Sequence, residues 1–491
     1  MNLIKTAILG AGILAATLPS AAQVLIEPAP VLPSDTTVNE AVKAVGDKVP
    51  QIPKLPTALN GETVVLSRQE CLAIALQENL TVKVADLEIT RLDLSKKETR
   101  AALFPQIDFS GSYQRSIELQ TMSMNMGGQS QSIKMGTDNN WNFGFTAAMP
   151  LVNAQLWKSL QISDTQILAN YENARASRLN LIDQINKAYY TLLLAKASYE
   201  VLKDNYELAK YTADLYAKQF SLGTATEYDV LRSSVQVKNV EPELLQAEIA
   251  IDQARLQLRV LMGIADNIVI EPNVTLADMQ ADMYEYVAGL DRSLNDNSDL
   301  RSLDIQRTLA EQTVDLRKRA WIPTLGAQFN INWMAMSNGN AFAKQTFNPY
   351  SNVALALSVP IFSGGSKYYG VKQAEVQVKE IKLQRENLVN SLNMQVDLAI
   401  DNINREVKQI DTSAEGVRQA EKAHEIMQKS FEIGAGSYLN LRYSELAETS
   451  AKLSYYQAIY NYLISTSELD LLLGREDELR NIGYTFPVNK K

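Results

Sequence analysis

The single histidine of this 491-residue chain is the first candidate for chemistry. His424 lies in helical sequence with Glu421 and Glu425 close by, and an imidazole beside carboxylates can bind a transition metal. One histidine on a charged helix is more often part of a solvated face. Because Cys71 is the only cysteine, a cluster of several cysteine and histidine ligands cannot form. We therefore predict no metal centre and no cofactor.

Four methionines form a second candidate. They fall in a long polar segment, residues 118–140, which we predict to be an exposed loop: Met122, Met124, Met126 and Met135. Thioether sulfur is a ligand for soft metal ions, so a metal-binding loop is one interpretation. Flexible loop residues explain the same side chains without any metal.

The motifs of the common enzyme classes do not occur in the sequence. No glycine-rich phosphate loop follows a predicted strand, and no serine nucleophile elbow is present. We therefore predict that the chain is not an enzyme.

The N terminus and the net charge indicate the compartment. Residues 1–22 combine Lys5, the apolar run 7–18 and the small residues Ser20-Ala21-Ala22, which is typical of a cleaved secretory signal. A retained anchor helix is the alternative, but the apolar run is too short to span a bilayer. The formal net charge of −9 argues against nucleic acid as a partner.

The rest of the chain consists of one pattern that occurs twice. Segment 85–109 aligns with 303–327, and 142–152 aligns with 352–362. The glycine-containing turns "FSLGTATEYDV" and "FEIGAGSYLNL" follow in the same order, and so do the endings "LRVLMG" and "LDLLLG". Each copy predicts helix, strand, strand, helix, helix. The predicted organisation is a signal peptide (1–22), a proline-rich linker (23–63), a first repeat (64–275), a second repeat (276–475) and a C-terminal tail (476–491).

The predicted strands have one apolar, aromatic face and one small, uncharged polar face, with Asp108 as the exception. Trp141 and Trp333 lie near the strand ends, as in the aromatic girdle of outer-membrane strands. A soluble sheet alternates in the same way and is the alternative. Four strands cannot close a membrane barrel, so spanning strands require several chains: two would give eight strands, and three would give twelve. The strands are predicted at about 106–115, 141–150, 324–334 and 352–361.

The predicted helices are unusually long. Residues 151–222 contain neither glycine nor proline, and apolar residues at a spacing of three to four form a coiled-coil seam that only Lys196 interrupts. A kink is predicted at Pro242. A secreted coiled-coil structural or adhesive protein would have the same helices and is the alternative. The long helices are predicted at about 151–222, 226–262, 366–433 and 438–473.

A proline marks each predicted junction between strand and helix, because proline has no N–H for the strand ladder. At "SVPIFSGGS", Gly364 and Gly365 allow the chain to bend, and Ser366 is the predicted helix cap. The junction prolines are Pro105, Pro150, Pro323 and Pro360.

This layout resembles the TolC-like outer membrane efflux family over residues 64–475. The resemblance implies a mainly α protein with membrane β-strands: a homotrimer with one twelve-stranded barrel in outer-membrane lipid, continued by a long α-helical barrel in the periplasm. It also implies an exit duct of a tripartite efflux or secretion system. The duct would receive cargo, either small molecules or proteins, from a periplasmic adaptor and an inner-membrane transporter, which supplies the energy.

The resemblance also implies two kinds of site. The glycine turns would contact the adaptor, although turn chemistry alone explains their glycines. The family often places an acidic ring six positions after the tip glycine, where this chain has Asp229 in the first repeat and Asn440 in the second. Arg442 would hold Asp229 in the closed state, and an ordinary helix-capping carboxylate is the alternative. The predicted adaptor contacts are Leu222, Gly223, Thr224, Gly434, Ala435 and Gly436.

Overall fold

The structure is a computed structural model that describes residues 63–126, 129–265, 268–282, 292–340 and 345–481, all within one structural unit. The predicted signal peptide lies outside the described residues, as do all but the last residue of the predicted linker and residues 482–491 of the tail. The strands of the described part are β1 (Thr63–Leu66), β2 (Gln106–Arg115), β3 (Gln120–Met126), β4 (Gln129–Met135), β5 (Asn139–Val152), β6 (Val269–Pro272), β7 (Thr324–Ser337) and β8 (Asn348–Ser358). Its α-helices are α1 (Arg68–Glu78), α2 (Leu80–Ala101), α3 (Ala154–Ser221), α4 (Glu227–Leu261), α5 (Ser298–Arg319), α6 (Ser366–Glu432), α7 (Tyr438–Leu473) and α8 (Asp477–Asn481).

The predicted membrane strands form one antiparallel sheet in the order β2, β5, β7, β8. Ile107, Ala147, Phe329 and Val353 form a row of paired residues across all four strands. Because paired residues lie on the same face of a sheet, the predicted apolar face is continuous across the sheet. The alternation in the sequence is thus confirmed by the strand register.

The next row of the sheet belongs to the opposite, polar face. Asp108, Thr146, Asn330 and Asn352 are paired in turn across the four strands. The Thr146 hydroxyl donates to Oδ1 of Asn330 at 2.9 Å, and the Asn330 amide donates to Oδ1 of Asn352 at 2.9 Å. Side-chain hydrogen bonds therefore connect three strands on this polar face.

Three of the four junction prolines lie outside the strands that they adjoin. Pro105 and Pro323 directly precede β2 and β7, and β8 ends at Ser358, two residues before Pro360 and three before the predicted end of that strand. Pro150 is different because it lies inside β5, where the register against β7 shifts. The neighbouring strand β2 has already ended its pairing at Ala148, so the missing N–H of Pro150 leaves no gap in that ladder.

The predicted cap of α6 is wrong. Gly365 occupies the N-cap position with φ 83° and makes no side-chain cap, and Ser366 is the first helical residue. Gly364 also has a positive φ of 60°, so both glycines are needed for the left-handed turn that enters the helix. In the first repeat, Asn153 caps α3 by accepting a hydrogen bond from the Leu156 amide at 3.1 Å.

The helices α3 and α6 contain 68 and 67 residues, which corresponds to roughly 100 Å each at 1.5 Å per residue. Each forms a hairpin with the helix that follows: α3 with α4 is the first hairpin, and α6 with α7 is the second. Helix α4 runs through Pro242 without ending. Lys196, which interrupts the seam of α3, forms an ion pair with Glu271 of β6, so its charge is compensated.

Two pairs of strands were not foreseen from the sequence. β1, which begins at the last residue of the predicted linker, and β6, near the end of the predicted first repeat, form a parallel two-stranded sheet. The segment 118–140 is not a plain loop, because β3 and β4 form a hairpin in which Gln120 pairs with Met135 and Met122 pairs with Ile133. Strands of four residues, such as β1 and β6, are too short to show a period. In β3 the alternation of Met122, Met124 and Met126 with polar residues was a usable signal of a strand.

In each repeat, one asparagine connects the start of one helix to the end of another, and we call this contact the closure of the repeat. Asn79 caps α2 and donates from Nδ2 to the Leu261 carbonyl at the end of α4, at 2.8 Å. At the aligned position, Asn297 caps α5 and donates to the Leu472 carbonyl at the end of α7, also at 2.8 Å. One side chain therefore satisfies the start of one helix and the end of another, and it holds both ends of the repeat together.

Glycines make this closure possible. Gly263 and Gly474 have φ values of 71° and 67°. A Cβ atom on Gly474 would lie 2.0 Å from the Asp296 carbonyl oxygen, and one on Gly263 would lie 2.6 Å from the Glu78 carbonyl oxygen. The endings "LMG" and "LLG" are therefore glycine because two backbones approach each other closely there.

Arg175 connects the first repeat to the closure of the second. Its buried guanidinium donates to Glu172 at 2.8 Å and Glu476 at 2.5 Å, and to the carbonyls of Asp296 at 2.9 Å and Gly474 at 2.8 Å. A buried arginine is tolerated only when its donors are paired in this way. The carboxylates come from α3 and from the chain just beyond α7, so the contact joins three parts of the fold.

Replacing Gly474 with alanine should lower the free energy of unfolding by about 2 kcal/mol or more, because alanine is strained at this φ and its Cβ would displace Asp296. Thermal unfolding followed by far-UV circular dichroism measures the effect. The matched control is Gly416→Ala in α6, where no atom lies within 4 Å of the added Cβ and alanine is the better helix former by about 1 kcal/mol. Equal melting temperatures for the two variants would contradict the proposed role of Gly474.

Candidate functional site

The tip of the first hairpin is a tight turn at the end of α3. The Leu222 amide donates to the Lys218 carbonyl at 3.1 Å, and the Gly223 and Thr224 amides donate to Phe220 and Gln219 at 3.0 and 2.9 Å. Gly223 adopts φ 75°, which a residue with a side chain rarely does. The final carbonyls of α3 are thus satisfied within the turn.

The tip of the second hairpin has the same turn with one more constraint. The Gly434 amide donates to Phe431 at 3.0 Å, and the Ala435 and Gly436 amides both donate to the Ser430 carbonyl at 2.9 Å. Gly434 has φ 74°, and a Cβ on Gly436 would lie 2.9 Å from the Phe431 nitrogen. Both glycines are therefore required by the turn itself.

The tips are exposed, and each carries an aliphatic side chain at its end. Leu222 is 78% exposed, and the aligned Ile433 is 80% exposed. Of the six predicted contact residues, five are exposed and Gly436 is partly buried. Sequence reasoning did not single out Ile433, although its alignment with Leu222 would have identified it. The two tips can therefore offer a partner apolar side chains on a rigid turn.

Asp229 belongs to the N-terminal cap of α4. Its carboxylate accepts from the Thr226 hydroxyl at 2.6 Å and from the Thr226 amide at 3.2 Å, while Thr226 accepts from the Asp229 amide. Arg232 lies 3.3 Å away. The hydrogen bonds from Thr226, and then the charge of Arg232, hold the pKa of Asp229 below its ordinary value. The carboxylate therefore stays ionised at neutral pH.

Within the chain, Arg442 has other partners than Asp229. Its guanidinium donates to Glu445 at 2.9 Å and to Asn205 of α3 at 3.3 Å. Asn440 is exposed, and its amide donates to the Ser437 hydroxyl that caps α7, at 3.3 Å. The three predicted gate residues are thus all near the tips, but one chain does not bring Asp229 and Arg442 into contact.

Aromatic rings join the two hairpins just above the tips, which the sequence did not reveal. Tyr216 of α3 lies 6.1 Å from Phe431 and 5.6 Å from Tyr438, measured between ring centroids. The Arg232 guanidinium lies 4.2 Å from the centroid of the Tyr438 ring, at cation–π distance. We call Tyr216, Arg232, Phe431 and Tyr438 the tip cluster. It connects the capped start of α4, with Asp229, to the second hairpin.

His424 lies in a charged cluster of the second hairpin. Its Nδ1 atom is 2.5 Å from the Glu448 carboxylate, and Lys452 bridges Glu448 at 2.7 Å and Glu421 at 3.1 Å. Across the part of the chain that the structure describes, no group of three or more histidine, cysteine, aspartate or glutamate residues is arranged to hold a metal ion. Burial raises the pKa of the Cys71 thiol to about 12.

Comparison with known proteins identifies the family. The family model described as "Outer membrane efflux protein" matches residues 72–264 and 289–475. The alkaline protease secretion protein AprF of Pseudomonas aeruginosa is 23% identical over 87% of this chain and 89% of its own. The outer membrane protein TolC of Vibrio cholerae is 21% identical over 80% of this chain and 87% of its own.

Solved structures show the same fold. The open state of the Neisseria gonorrhoeae MtrE outer membrane channel superposes with a TM-score of 0.64 at 19% identity, covering 87% of this chain and 96% of MtrE. None of the described helices has the length and hydropathy needed to cross a membrane. The chain belongs to the outer membrane efflux protein family. It is an outer-membrane export duct whose long helices lie in the periplasm, so the alternative of a secreted coiled-coil scaffold is not supported.

Replacing Tyr438 with leucine should loosen the contact between the hairpins, because it removes the ring that Arg232 and Tyr216 contact. A loss of about 1 kcal/mol would make amide exchange at residues 433–438 about fivefold faster, as measured by hydrogen–deuterium exchange. The control is Tyr443→Leu, which removes an exposed tyrosine from the same helix. Equal exchange in both variants would show that the tip cluster does not join the hairpins.

Proposed function

We propose that three copies of the chain assemble into one passive duct. The observation that supports this proposal is the pair of unpaired sheet edges. β2 and β8 each have a partner strand on one side only, and every residue of both strands is exposed. Unpaired backbone groups are not tolerated in lipid, so β8 of one copy would pair with β2 of the next.

The apolar face of the sheet would then contact outer-membrane lipid. Val353, Leu355 and Leu357 of β8 are each about two-thirds exposed (65–68%), which is expected for side chains that face acyl chains. Three sheets would give the twelve strands of a barrel with room for a channel. The row from Asp108 to Asn352 would face its interior.

We further propose that the tips of both hairpins contact a periplasmic adaptor, which links the duct to an inner-membrane transporter. The rigid turns and the exposed Leu222 and Ile433 support this site, because burying exposed apolar side chains is favourable and a rigid turn loses little entropy on binding. The transporter would supply the energy, and the chain itself would have no enzymatic activity.

Replacing Leu222 and Ile433 together with aspartate should abolish export, because two carboxylates would have to be buried without partners in the adaptor contact. Export is measured in a deletion strain, both as resistance to toxic small molecules and as protein secretion, since the relatives include a protease secretion protein. The control is Tyr211→Asp, which introduces a charge at an exposed position of α3 about 16 Å from the tip at 1.5 Å per residue.

Assembly must be checked in the same strains. The double variant should still be found in the outer membrane and should run as a heat-sensitive trimer on gels, because the strands are unchanged. Normal export by the double variant would refute the adaptor contact. A wild-type protein that runs only as a monomer would refute the trimer.

We also propose that Asp229 forms a ring of negative charge at the narrow end of the duct. The position of Asp229 six residues after the tip glycine supports the proposal, as do the Thr226 hydrogen bonds that fix its carboxylate at the start of α4. The second repeat has the uncharged Asn440 there, so a trimer would have one ring of three carboxylates. In this assembly, Arg442 would have to reach Asp229 from another copy.

Asp229→Ala should raise the conductance of the channel or reduce its preference for cations in a planar bilayer, because three negative charges leave the constriction. The matched control is Thr226→Ala, which removes the capping partner at a cost of about 1 kcal/mol but keeps the charge. If Thr226→Ala changes the ion preference as much as Asp229→Ala does, the cap and not the charge controls the channel. An unchanged channel in both variants would refute the ring.

A further inference from the structure

Three consecutive cations end the helix that leads into the second pair of membrane strands. Arg317 and Lys318 are exposed and Arg319 is partly buried, and β7 begins five residues after Arg319. Within the described residues, none of the three forms an ion pair. Asp315 is paired with Lys158 at 3.2 Å, and Glu375 is paired with Lys372 at 2.9 Å. Positive charge is therefore in excess at this junction.

Helix capping does not account for the three cations. Cations are favourable near a helix C-terminus, but the last carbonyls of α5 already have partners. The amides of Ala320, Trp321 and Ile322 donate to the carbonyls of residues 317–319 at 3.1–3.3 Å. Lys367, from the start of α6, donates to the Ala320 carbonyl at 2.7 Å. Lys367 is thus a fourth cation, and it already occupies the position at the C-terminus of α5 where a positive charge is favourable.

Exposed apolar side chains surround the same junction. Ile361 and Phe362, between β8 and α6, are 88% and 87% exposed, and Trp321 is 45% exposed. The Lys367 ammonium lies 5.6 Å from the centroid of the Trp321 ring. Aromatic residues beside lysine and arginine are typical of a membrane–water interface, where the rings lie at the level of the headgroups.

The corresponding junction of the first repeat differs. The aligned end of α2 is Thr99-Arg100-Ala101, with a single cation in place of three. The lysines before it are paired, Lys96 with Asp164 at 2.6 Å and Lys97 with Asp93 at 2.7 Å. An excess of positive charge at the membrane boundary is therefore a property of the second junction and not of the repeat as such.

We propose that the second junction, with Arg317, Lys318, Arg319 and Trp321, binds anionic phospholipid headgroups in the periplasmic leaflet of the outer membrane. The guanidinium and ammonium groups would contact the lipid phosphates, and Trp321, Ile361 and Phe362 would lie at the acyl boundary below. The inference rests on the proposed assembly, in which the sheet spans the membrane. Each basic side chain near an anionic surface contributes about fivefold in lipid affinity.

Tryptophan quenching by brominated lipids tests this site. The full-length protein is reconstituted in phosphatidylethanolamine bilayers that contain a minority of brominated phosphatidylglycerol or, in parallel, of brominated phosphatidylcholine. We expect stronger quenching by the glycerol lipid, corresponding to an enrichment of at least about fivefold around the protein. The difference should disappear in Trp321→Phe, which identifies the reporting ring, and in the triple variant R317Q/K318Q/R319Q.

The controls separate charge from structure. R317K/R319K should retain the preference for phosphatidylglycerol, and K210Q/K382Q/K408Q, which removes three exposed lysines elsewhere, should retain it too. Equal quenching by both lipids in the wild type, or an unchanged preference in the triple glutamine variant, would overturn the inference. Quenching of Trp321 by neither lipid would show that a neighbouring copy covers it, which also overturns the inference. If the reconstituted channels conduct normally but show no lipid preference, the inference about the lipid site fails and the proposed duct stands.

Discussion

The hydrogen bonds from Asn79 to Leu261 and from Asn297 to Leu472 are the contacts on which the rest of the architecture depends. Each repeat runs from its asparagine along a short helix to the sheet, through two strands, down a long helix to a tip and back to the same asparagine. The hydrogen bond thus fixes where the returning helix ends relative to the starting one. Both repeats are closed in the same way, and their two hairpins meet above the tips through the contacts of Tyr216 and Arg232 with the second hairpin.

The long elements could be predicted from the sequence because each carries many repetitions of one period. Strand alternation identified the apolar face, and glycine placement identified both tips within a few residues. The contacts of single residues could not be predicted in this way. Asn79 and Asn297 look like ordinary polar residues before a helix, although their alignment between the repeats was a usable signal. The pairing of β1 with β6 joins residues that are about two hundred positions apart in the sequence, and four-residue strands have no periodicity that would reveal it.

The two repeats share a backbone but differ in the residues that connect them. At aligned positions, the first repeat has Glu227 and Arg232 where the second has Tyr438 and Tyr443. The structure explains part of this difference, because Arg232 from the first repeat lies on the ring of Tyr438 from the second. An exact duplication would place glutamate opposite arginine there and lose the aromatic contacts of Tyr216. Divergence between the copies thus produced a specific contact between the hairpins.

The two repeats also differ in the charged residues at the membrane boundary. Backbone requirements explain the turns into the long helices: Gly364 and Gly365 supply the turn into α6, and Asn153 caps α3 at the corresponding place. Charge is not constrained in this way, because the helix ends are already capped by backbone turns. Lys96 and Lys97 form ion pairs within the chain, whereas Arg317, Lys318 and Arg319 form none among the residues that the structure describes. A cation without an ion-pair partner among the described residues, which the proposed assembly would place at the level of the headgroups, gains most from an anionic partner in the membrane.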